Sequence, residues 1–503
     1  MRKTKVIFIK NAITLTATSL ILRAVGMFFR AWLAGNIGSD GIGLYGQIFS
    51  VYMLFYGLSS SGINLATTRL VSEELVLGGQ KGVRLLMKRL ILLSFLASTF
   101  FAALIFFSAG FISRVFVGDE MALEAYKILP YSLPFSAVCS ALKGYFMARK
   151  KSSPGSISQI LEQAVRMIII MGLAATSLEE GLNKACKVVV LGDVVAELSS
   201  CVLVYIMFVI DRRKIMPKEA LYIKKEGVLE KICHIALPTS LSRGLNSLLR
   251  TTESFMIPAG LQKFGFSRNA SLSVFGLVKG MALPLLFFPA SLLNALATLL
   301  IPEMSEAVAG ERSYKIKYAV EKSLDIILIT SIPFSALFFF GANRFGQLIY
   351  QDGEVGEIIK LLSPLVPLMY IDSISDGLLK GLDQQNITFR NSIIDSSARL
   401  LLIFFVLPVL GTAGFIGIMY LSNLFTSLMN LHRLLKVSKA KIKIYKKVLL
   451  PLFFAFGSCY TVNSIVSVLN LPDLPYSLIF SVFSILAYSL LMIVCGCVKR
   501  EDF

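Results

Sequence analysis

Four arginines lie within apolar segments that are long enough to cross a membrane. Arg23 and Arg30 are seven residues apart in the first such segment, and Arg243 and Arg250 repeat this spacing in the seventh. Seven residues turn an α-helix through about 700°, so each pair shares one face and lies about 10 Å apart along the axis. A charge at bilayer depth costs about 2.5–3.5 kcal/mol. The duplicated spacing therefore predicts a cationic cavity between two homologous halves, shaped to hold an anion within the membrane.

Two acid–base pairs at a spacing of four residues form a second pattern. Glu162 precedes Arg166 in the fifth apolar segment, and Asp395 precedes Arg399 in the eleventh. Residues four apart share a helix face, which favours an ion pair that faces the interior of a helical bundle. The alternative is cation coupling, because Asn391 lies one turn before Asp395 and adds oxygen ligands of the kind that Na⁺ or a proton would use. Asn391 and Asp395 are therefore the candidate ion-coupling residues.

Like charges also lie four residues apart in two of the apolar segments. Asp193 and Glu197 belong to the sixth segment, and Asp372 and Asp376 belong to the tenth. Like charges at this spacing repel, so one member of each pair is expected to be protonated, solvated or paired elsewhere. A structural role for these carboxylates is favoured over a proton relay.

Composition identifies an all-α, polytopic membrane protein. The 503 residues are 55% hydrophobic, with a mean hydropathy of +0.72, and apolar stretches recur from end to end. Fourteen transmembrane helices are predicted, with boundaries good to a few residues. They cover 8–33, 41–70, 88–112, 124–148, 155–176, 187–210, 232–258, 271–301, 319–342, 357–381, 388–410, 412–434, 447–469 and 475–498.

The positions of the basic residues predict the side of the membrane on which each terminus lies. Most of the 50 Lys and Arg residues precede the first span, follow the last span or occupy the loops after even-numbered spans. By the positive-inside rule, this multi-pass protein has both termini in the cytoplasm and resides in the cell membrane. The basic residues form no module interleaved with aromatic side chains, so no nucleic-acid partner is expected.

The spans fall into two similar halves. Besides the arginine pairs, Glu162 and Arg166 recur 233 residues later as Asp395 and Arg399. Six helices per half is an even number, so the halves share one orientation, as in parallel repeats related by an axis along the membrane normal. The predicted domains are a six-helix lobe, a basic cytoplasmic linker, a second six-helix lobe, and helices 13–14 with a cytoplasmic tail. Their bounds are 1–210, 211–231, 232–435 and 436–503.

No arrangement of catalytic or metal-ligating residues is evident. The seven cysteines are scattered without a CxxC pair. His234 and His432 lie near predicted helix ends, and neither accompanies a Ser, Cys or metal-ligand set. The sequence therefore predicts a protein that is not an enzyme and that uses no cofactor or metal site other than a coupling ion, Na⁺ or H⁺.

The opening third of the chain carries a pattern of glycines and charged residues. Its positions are Leu22, Arg23, Gly26, Arg30, Ala34, Gly38, Gly41, Gly43, Leu44 and Tyr45, followed by Gly62, Asn64, Ser72 and Glu73. With the fourteen predicted helices, this pattern resembles the multidrug/oligosaccharidyl-lipid/polysaccharide flippase superfamily. Within it, the chain is most similar to the polysaccharide-transporter branch typified by stage V sporulation protein B and the lipid II flippases.

The resemblance implies outward flipping, by alternating access, of undecaprenyl-pyrophosphate-linked saccharides such as lipid II-like or polysaccharide precursors. Such cargo serves cell-wall, spore-cortex or surface-polymer assembly. A wall-polymer polymerase is a candidate partner. Guanidinium groups suit a pyrophosphate because they remain protonated and donate several hydrogen bonds. The expected substrate-binding residues are Arg23, Arg30, Arg243, Arg250 and Glu253. An internal ion pair between Arg250 and Glu253, one turn apart, is the alternative.

Three other functions are alternatives to this one. A cation-coupled multidrug antiporter of the same fold would need acidic and aromatic cavity walls, and the four basic residues argue against it. A membrane glycosyltransferase or ligase would need a large outer catalytic loop or a carboxylate and metal set, and the predicted outer loops are short. A scaffold for wall assembly that transports nothing is the third alternative, and normal growth of a strain with substituted cavity arginines would favour it.

Overall fold

The computed structural model is helical throughout the part of the chain that it describes. That part comprises residues 2–77, 79–114, 121–177, 182–214, 227–290, 310, 312–442 and 444–497. The α-helices are Arg2–Leu77, Gly79–Ile112, Met121–Ile128, Ser132–Ala148, Ser153–Ser177, Leu182–Arg212, Val228–Phe264, Arg268–Phe275, Leu283–Phe287, Ser313–Phe340, Ala342–Tyr350, Gly353–Leu362, Val366–Gly381, Gln385–Ser438, Leu450–Val468 and Asp473–Val494. Short 3-10 or π turns join or extend some of them at Leu129–Tyr131, Gly276–Ala282, Ser363–Leu365 and Tyr445–Leu449. No strand occurs among these residues, and the prediction of an all-α fold is confirmed.

Ten helical stretches of the described residues are long and apolar enough to cross a membrane. Two of them, Thr16–Val76 with 61 residues and Gln385–Ser438 with 54, far exceed the length of one crossing, which is about 20 residues. Each of these two is interrupted by a glycine with non-helical backbone angles, at Gly38 and at Gly411. The prediction of a multi-span membrane protein is confirmed, and the number of fourteen spans stays a prediction.

The two interruptions require glycine. Gly38 has φ 72° and ψ 175°, and Gly411 has φ 53° and ψ −132°. A side chain at such angles is strained, whereas glycine adopts them at little cost. A Cβ at Gly411 would also lie 2.7 Å from the ring of Phe264. The predicted spans are separated at residue 411 and between residues 33 and 41, and the helix is interrupted at both places.

By compactness the chain divides into two units. The first comprises Met1–Gly26 and Leu44–Phe255, and the second comprises Met27–Gly43 and Met256–Phe503. The predicted division into lobes at 211–231 rests on internal sequence similarity and stays a prediction. Most of that linker, 215–226, lies outside the described residues, as does the end of the predicted tail, 498–503.

Each unit has its own apolar core. In the first, Leu90, Tyr145 and Phe208 are among the buried side chains that join the central helices of that unit. In the second, Leu337 and Phe480 belong to a cluster through which the two C-terminal helices pack against the Ser313–Phe340 helix. The two helices that lie outside the predicted repeat therefore share a core with a helix of the second half.

Within the second unit, two stretches of chain cross at a pair of glycines. A Cβ at Gly43 would lie 2.1 Å from the carbonyl oxygen of Leu272, and a Cβ at Gly276 would lie 2.0 Å from that of Ser39. The two close approaches mirror each other. Leu272 lies 233 residues after Ser39, and Gly276 lies 233 residues after Gly43. Small residues allow helices to approach this closely in membranes, where close packing replaces much of the hydrophobic driving force.

Gly276→Ala is expected to destabilise the protein by about 1–3 kcal/mol, the usual cost of overpacking. The added methyl group meets a backbone carbonyl oxygen, which cannot move aside as a flexible side chain can. Thermal unfolding of the purified protein in one detergent measures the effect. Gly110→Ala is the control, because a Cβ there has no atom within 4 Å. Equal melting temperatures for both variants would show that the crossing does not constrain the fold.

Candidate functional site

The helix that carries Arg243 and Arg250 is held against residues 44–77 of the first unit by small and polar residues. Thr251 donates a hydrogen bond to the carbonyl oxygen of Ser50 at 2.9 Å, and the hydroxyl of Ser240 accepts one from the backbone of Gly62 at 3.2 Å. This contact occupies one face of the helix. Arg243 and Arg250, seven residues apart, both have exposed side chains.

The other two predicted binding arginines, Arg23 and Arg30, are exposed as well. Within the described residues, none of the four guanidinium groups forms a salt bridge. The alternative pairing of Arg250 with Glu253 is thus not formed, and Glu253 is buried while Arg250 is not. Three of the arginines belong to the first unit, and Arg30 belongs to the second.

Arg166 is bound very differently, within the interior of the first unit. Its Nη2 atom lies 3.1 Å from Oε1 of Glu162, and its Nε atom lies 2.6 Å from Oδ1 of Asp193. The hydroxyl of Tyr45 donates to the other oxygen of Asp193 at 3.1 Å. The predicted ion pair between Glu162 and Arg166 is confirmed, and Asp193 is a second acid on the same guanidinium group.

Two further charged groups complete this arrangement. Lys143 lies 4.0 Å from Oε2 of Glu162, and Oε1 of Glu197 lies 3.4 Å from the hydroxyl of Tyr52. Lys143, Glu162, Arg166, Asp193 and Glu197 are called the N-terminal charge cluster below. Asp193 is bound to Arg166 and Glu197 contacts a tyrosine, so the expected repulsion between these two acids is relieved by separate partners.

A related arrangement lies in the second unit. Asp395 forms a salt bridge with Arg399, as predicted, and its Oδ1 atom accepts a hydrogen bond from Ser422 at 2.7 Å. Asn391, one turn earlier, donates to Oδ1 of Asn430 at 2.9 Å. The Oδ1 atom of Asn391 is buried and accepts no hydrogen bond within the described residues.

The two acids of the tenth predicted span also have separate partners. Oδ1 of Asp372 accepts a hydrogen bond from Asn430 at 2.8 Å, and Asp376 forms a salt bridge with Lys380 at 2.5 Å. Asp372, Asn391, Asp395, Arg399, Ser422 and Asn430 are called the C-terminal charge cluster below. Both clusters bind their basic groups inside one unit, in contrast to the exposed arginines.

Sequence reasoning missed a third cluster. Asp211 accepts hydrogen bonds from the hydroxyl of Tyr145 at 2.9 Å and from Nε of Arg149 at 3.1 Å, and it forms a salt bridge with Lys151. These contacts connect the end of the Leu182–Arg212 helix to the turn after the Ser132–Ala148 helix. The basic run Arg149–Lys151 was the available signal, but the acid that matches it is about sixty residues away.

Nothing in the described part of the chain is arranged as a metal centre. No group of three or more His, Cys, Asp or Glu residues there could hold a metal ion. The exposed arginines offer positive charge and hydrogen-bond donors, which suit an anion.

The helical fold described above is shared with solved structures of membrane transporters. The fold matches a solved structure titled "Lipid II flippase MurJ, inward closed conformation" with a TM-score of 0.70, over 97% of this chain and 98% of that one, at 14% identity. It also matches an inward-facing multidrug resistance MATE family transporter of the MOP superfamily, with a TM-score of 0.64 over 85% of this chain and 99% of that one, at 15% identity.

Residues 8–307 match the family model described as "Polysaccharide biosynthesis protein", and the chain belongs to this family. Among its relatives, Stage V sporulation protein B of Bacillus subtilis (strain 168) is 25% identical over 414 residues, which cover 82% of this chain and 79% of that protein. Lipid II flippase MurJ of the same strain is 20% identical over 430 residues, covering 78% and 76%. The predicted resemblance to polysaccharide-transport proteins typified by stage V sporulation protein B is confirmed.

Proposed function

We propose that this protein is a flippase that moves polyprenyl-pyrophosphate-linked saccharides from the cytoplasmic to the outer leaflet of the cell membrane. The undecaprenyl form of the lipid and a lipid II-like or polysaccharide-precursor saccharide are the cargo. The product serves the assembly of cell wall, spore cortex or surface polymer. The chain acts as a transporter and not as an enzyme.

The observation that carries this proposal is a contrast between two sets of intramembrane arginines. Arg166 and Arg399 lie in salt bridges inside their units. The four predicted binding arginines are exposed and form no salt bridge with any described residue. Because a charge at bilayer depth costs several kcal/mol, we infer that these exposed groups bind an anion from outside the protein. A pyrophosphate matches several guanidinium groups through multidentate, charge-assisted hydrogen bonds.

The relatives support the class of cargo. One is named a lipid II flippase, and another is a sporulation protein. A multidrug transporter shares the fold, but a cationic drug would be repelled by the exposed arginines. An anionic, lipid-linked cargo agrees with the names of the relatives and with the positive charge of the exposed arginines.

The proposed mechanism is alternating access. The arginines replace part of the hydration shell that the pyrophosphate loses when it leaves the membrane surface, and the polyprenyl chain stays in lipid. The site then opens to the opposite side, where water again solvates the head group and releases it. Cytoplasmic termini, proposed from the distribution of Lys and Arg, define which side of the protein faces the cytoplasm. We retain the two predicted six-helix lobes as the bodies that move.

A reconstituted assay tests the proposal. Purified full-length protein is placed in liposomes with a fluorescent polyprenyl-pyrophosphate-linked saccharide, and a membrane-impermeant reductant bleaches only the outer leaflet. We expect the protein to expose the inner-leaflet pool to bleaching, whereas protein-free liposomes keep it protected. In a deletion strain, the same lipid-linked intermediate should accumulate on the cytoplasmic leaflet. A protein that exports a cationic dye but leaves the labelled lipid in place would refute the proposal.

We further propose that Asn391 and Asp395 couple flipping to Na⁺ or H⁺. Asp395 is bound by Arg399 and Ser422, and the buried Oδ1 atom of Asn391 lies on the preceding helical turn. A cation that binds Asp395 would compete with Arg399, so its arrival changes the contacts of the C-terminal charge cluster.

Asp395→Asn is therefore expected to remove the dependence of the flipping rate on an imposed Na⁺ or pH gradient. The carboxamide carries no charge for the cation or for Arg399. Asn391→Ala provides a second variant that leaves the salt bridge in place. Asp376→Asn is the control, because Asp376 pairs with the exposed Lys380 in a simple helical-turn contact. Wild-type gradient dependence in both Asn391→Ala and Asp395→Asn would rule out this coupling site.

A further inference from the structure

A groove in the second unit combines an apolar lining with a neighbouring cation. One wall is the face of the first helix between residues 27 and 36, and the other is the end of the Ala342–Tyr350 helix; together they enclose about 600 Å³. Its apolar lining includes Met27, Phe28, Ala31, Trp32, Leu348 and Ile349. This volume falls within the range of about 300–1,000 Å³ that is typical of small-molecule sites.

The first wall is recessed because of its sequence. Ala31 and Gly35 lie four residues apart on one helical face, so two successive turns of this wall carry small side chains. A Cβ at Gly35 would have no atom within 4 Å. Phe28 is 61% exposed on the flank of this recess. The groove therefore accepts a narrow, flexible, apolar chain.

Arg30 stands at the edge of this face. It follows Met27 by one helical turn, and residues three apart are neighbours on a helix surface. Its side chain is exposed and forms no salt bridge with the described residues. The nearby groove residue Tyr350 does not neutralise it, because burial raises the pKa of the Tyr350 phenol to about 12. The Tyr350 hydroxyl already donates to the carbonyl oxygen of Met281 at 2.9 Å.

We propose that this groove seats the first isoprene units of the polyprenyl chain, with the adjoining phosphate at Arg30. The inference rests on the proposed function and adds to it a binding site for the lipid part of the cargo. A free phosphate would use Arg30 but not the apolar recess, and an uncharged lipid would use the recess but not Arg30. A polyprenyl pyrophosphate joins both features directly. The rest of its chain remains in the bilayer, since 600 Å³ holds only a few isoprene units.

The chain provides its own probe of the groove, because Trp32 is its single tryptophan. Full-length protein in lipid nanodiscs is titrated with a polyprenyl pyrophosphate that carries a nitroxide, a fluorescence quencher, on an early isoprene unit. We expect saturable quenching of Trp32. A polyprenol with the same label and no phosphate should need at least a tenfold higher concentration. Arg30→Gln should abolish that difference.

Two matched variants test the recess itself. Gly35→Leu places a side chain in the groove and is expected to weaken quenching at least tenfold, with an unchanged melting temperature, because the added atoms enter open space. Gly110→Leu adds the same side chain at an equally open position on another helix, and quenching should match the parent protein.

Two results would overturn the inference. One is the absence of saturable quenching. The other is quenching by nitroxide-labelled phosphatidylglycerol at the same concentrations, which would make the occupant an ordinary anionic lipid. If Trp32 fails to respond while flipping still depends on Arg23 and Arg243, only this inference fails. If the reconstituted protein flips no labelled lipid at all, the proposed function fails with it.

Discussion

Replacing Arg23 or Arg243 with alanine is expected to abolish flipping while the protein still reaches the membrane at its normal level. Both side chains are exposed and form no salt bridge within the described residues, so their removal leaves no buried acid unpaired. Each charge-assisted contact to a phosphate contributes about 1.5–3 kcal/mol, and its loss lowers binding about ten- to a hundredfold. The readouts are complementation of a deletion strain and the rate in the reconstituted bleaching assay.

The matched control is Arg69→Gln, because Arg69 is also an exposed arginine of the first unit but pairs with Glu73 at 3.5 Å. It should complement fully, since an exposed pair one turn apart contributes only about 0.3–0.5 kcal/mol. Lysine substitutions at 23 and 243 should rescue partly, because lysine keeps the charge but loses the bidentate geometry. Full complementation by both alanine variants would remove these arginines from the substrate site.

Arg166→Met is expected to cost about 3–5 kcal/mol of stability, as breaking a buried ion pair from one side generally does. The substitution leaves Glu162, Asp193 and Glu197 in the interior of the first unit with Lys143 as the only basic member of the N-terminal charge cluster. Asp193 is among the buried residues and receives its closest contact, at 2.6 Å, from Arg166. Thermal unfolding of the purified protein measures the loss, and the amount of protein in the membrane should fall with it.

A double substitution separates charge from packing in this cluster. Arg166→Met combined with Asp193→Asn should be more stable than Arg166→Met alone, because the uncompensated carboxylate is gone. Arg69→Gln again provides the control and should melt within about a degree of the parent, as expected of an exposed pair. If Arg166→Met unfolds at the temperature of the parent protein, the cluster does not stabilise the first unit.

Local regularities allowed much of the fold to be predicted. Apolar runs of about 20 residues gave the helices, because backbone groups in lipid must satisfy one another within a helix. The predicted boundary between the spans 388–410 and 412–434 agrees with the interruption at Gly411, where the chain adopts angles that glycine tolerates readily. Glu162 with Arg166 and Asp395 with Arg399 paired as predicted because a spacing of four residues fixes the geometry within one helix.

Contacts between different helices could not be predicted from these local regularities. Asp193 binds Arg166 from a different helix, and Asp211 contacts residues about sixty positions earlier. Spacing along one helix says nothing about which face of a second helix approaches it. Arg250 and Glu253 show the converse. Their spacing suits an ion pair, but packing buries Glu253 and leaves Arg250 exposed, so the pair is not formed.

The sequence by itself determined that this is a helical, multi-span membrane protein of the polysaccharide branch, with basic residues duplicated at one spacing. Those properties follow from the composition and from the spacing of residues along single helices. Only the tertiary structure decided which of these charges are neutralised inside a unit and which remain exposed. That decision depends on helix-to-helix contacts, where a carboxylate from a distant segment either reaches a guanidinium group, as at Arg166, or does not, as at Arg243.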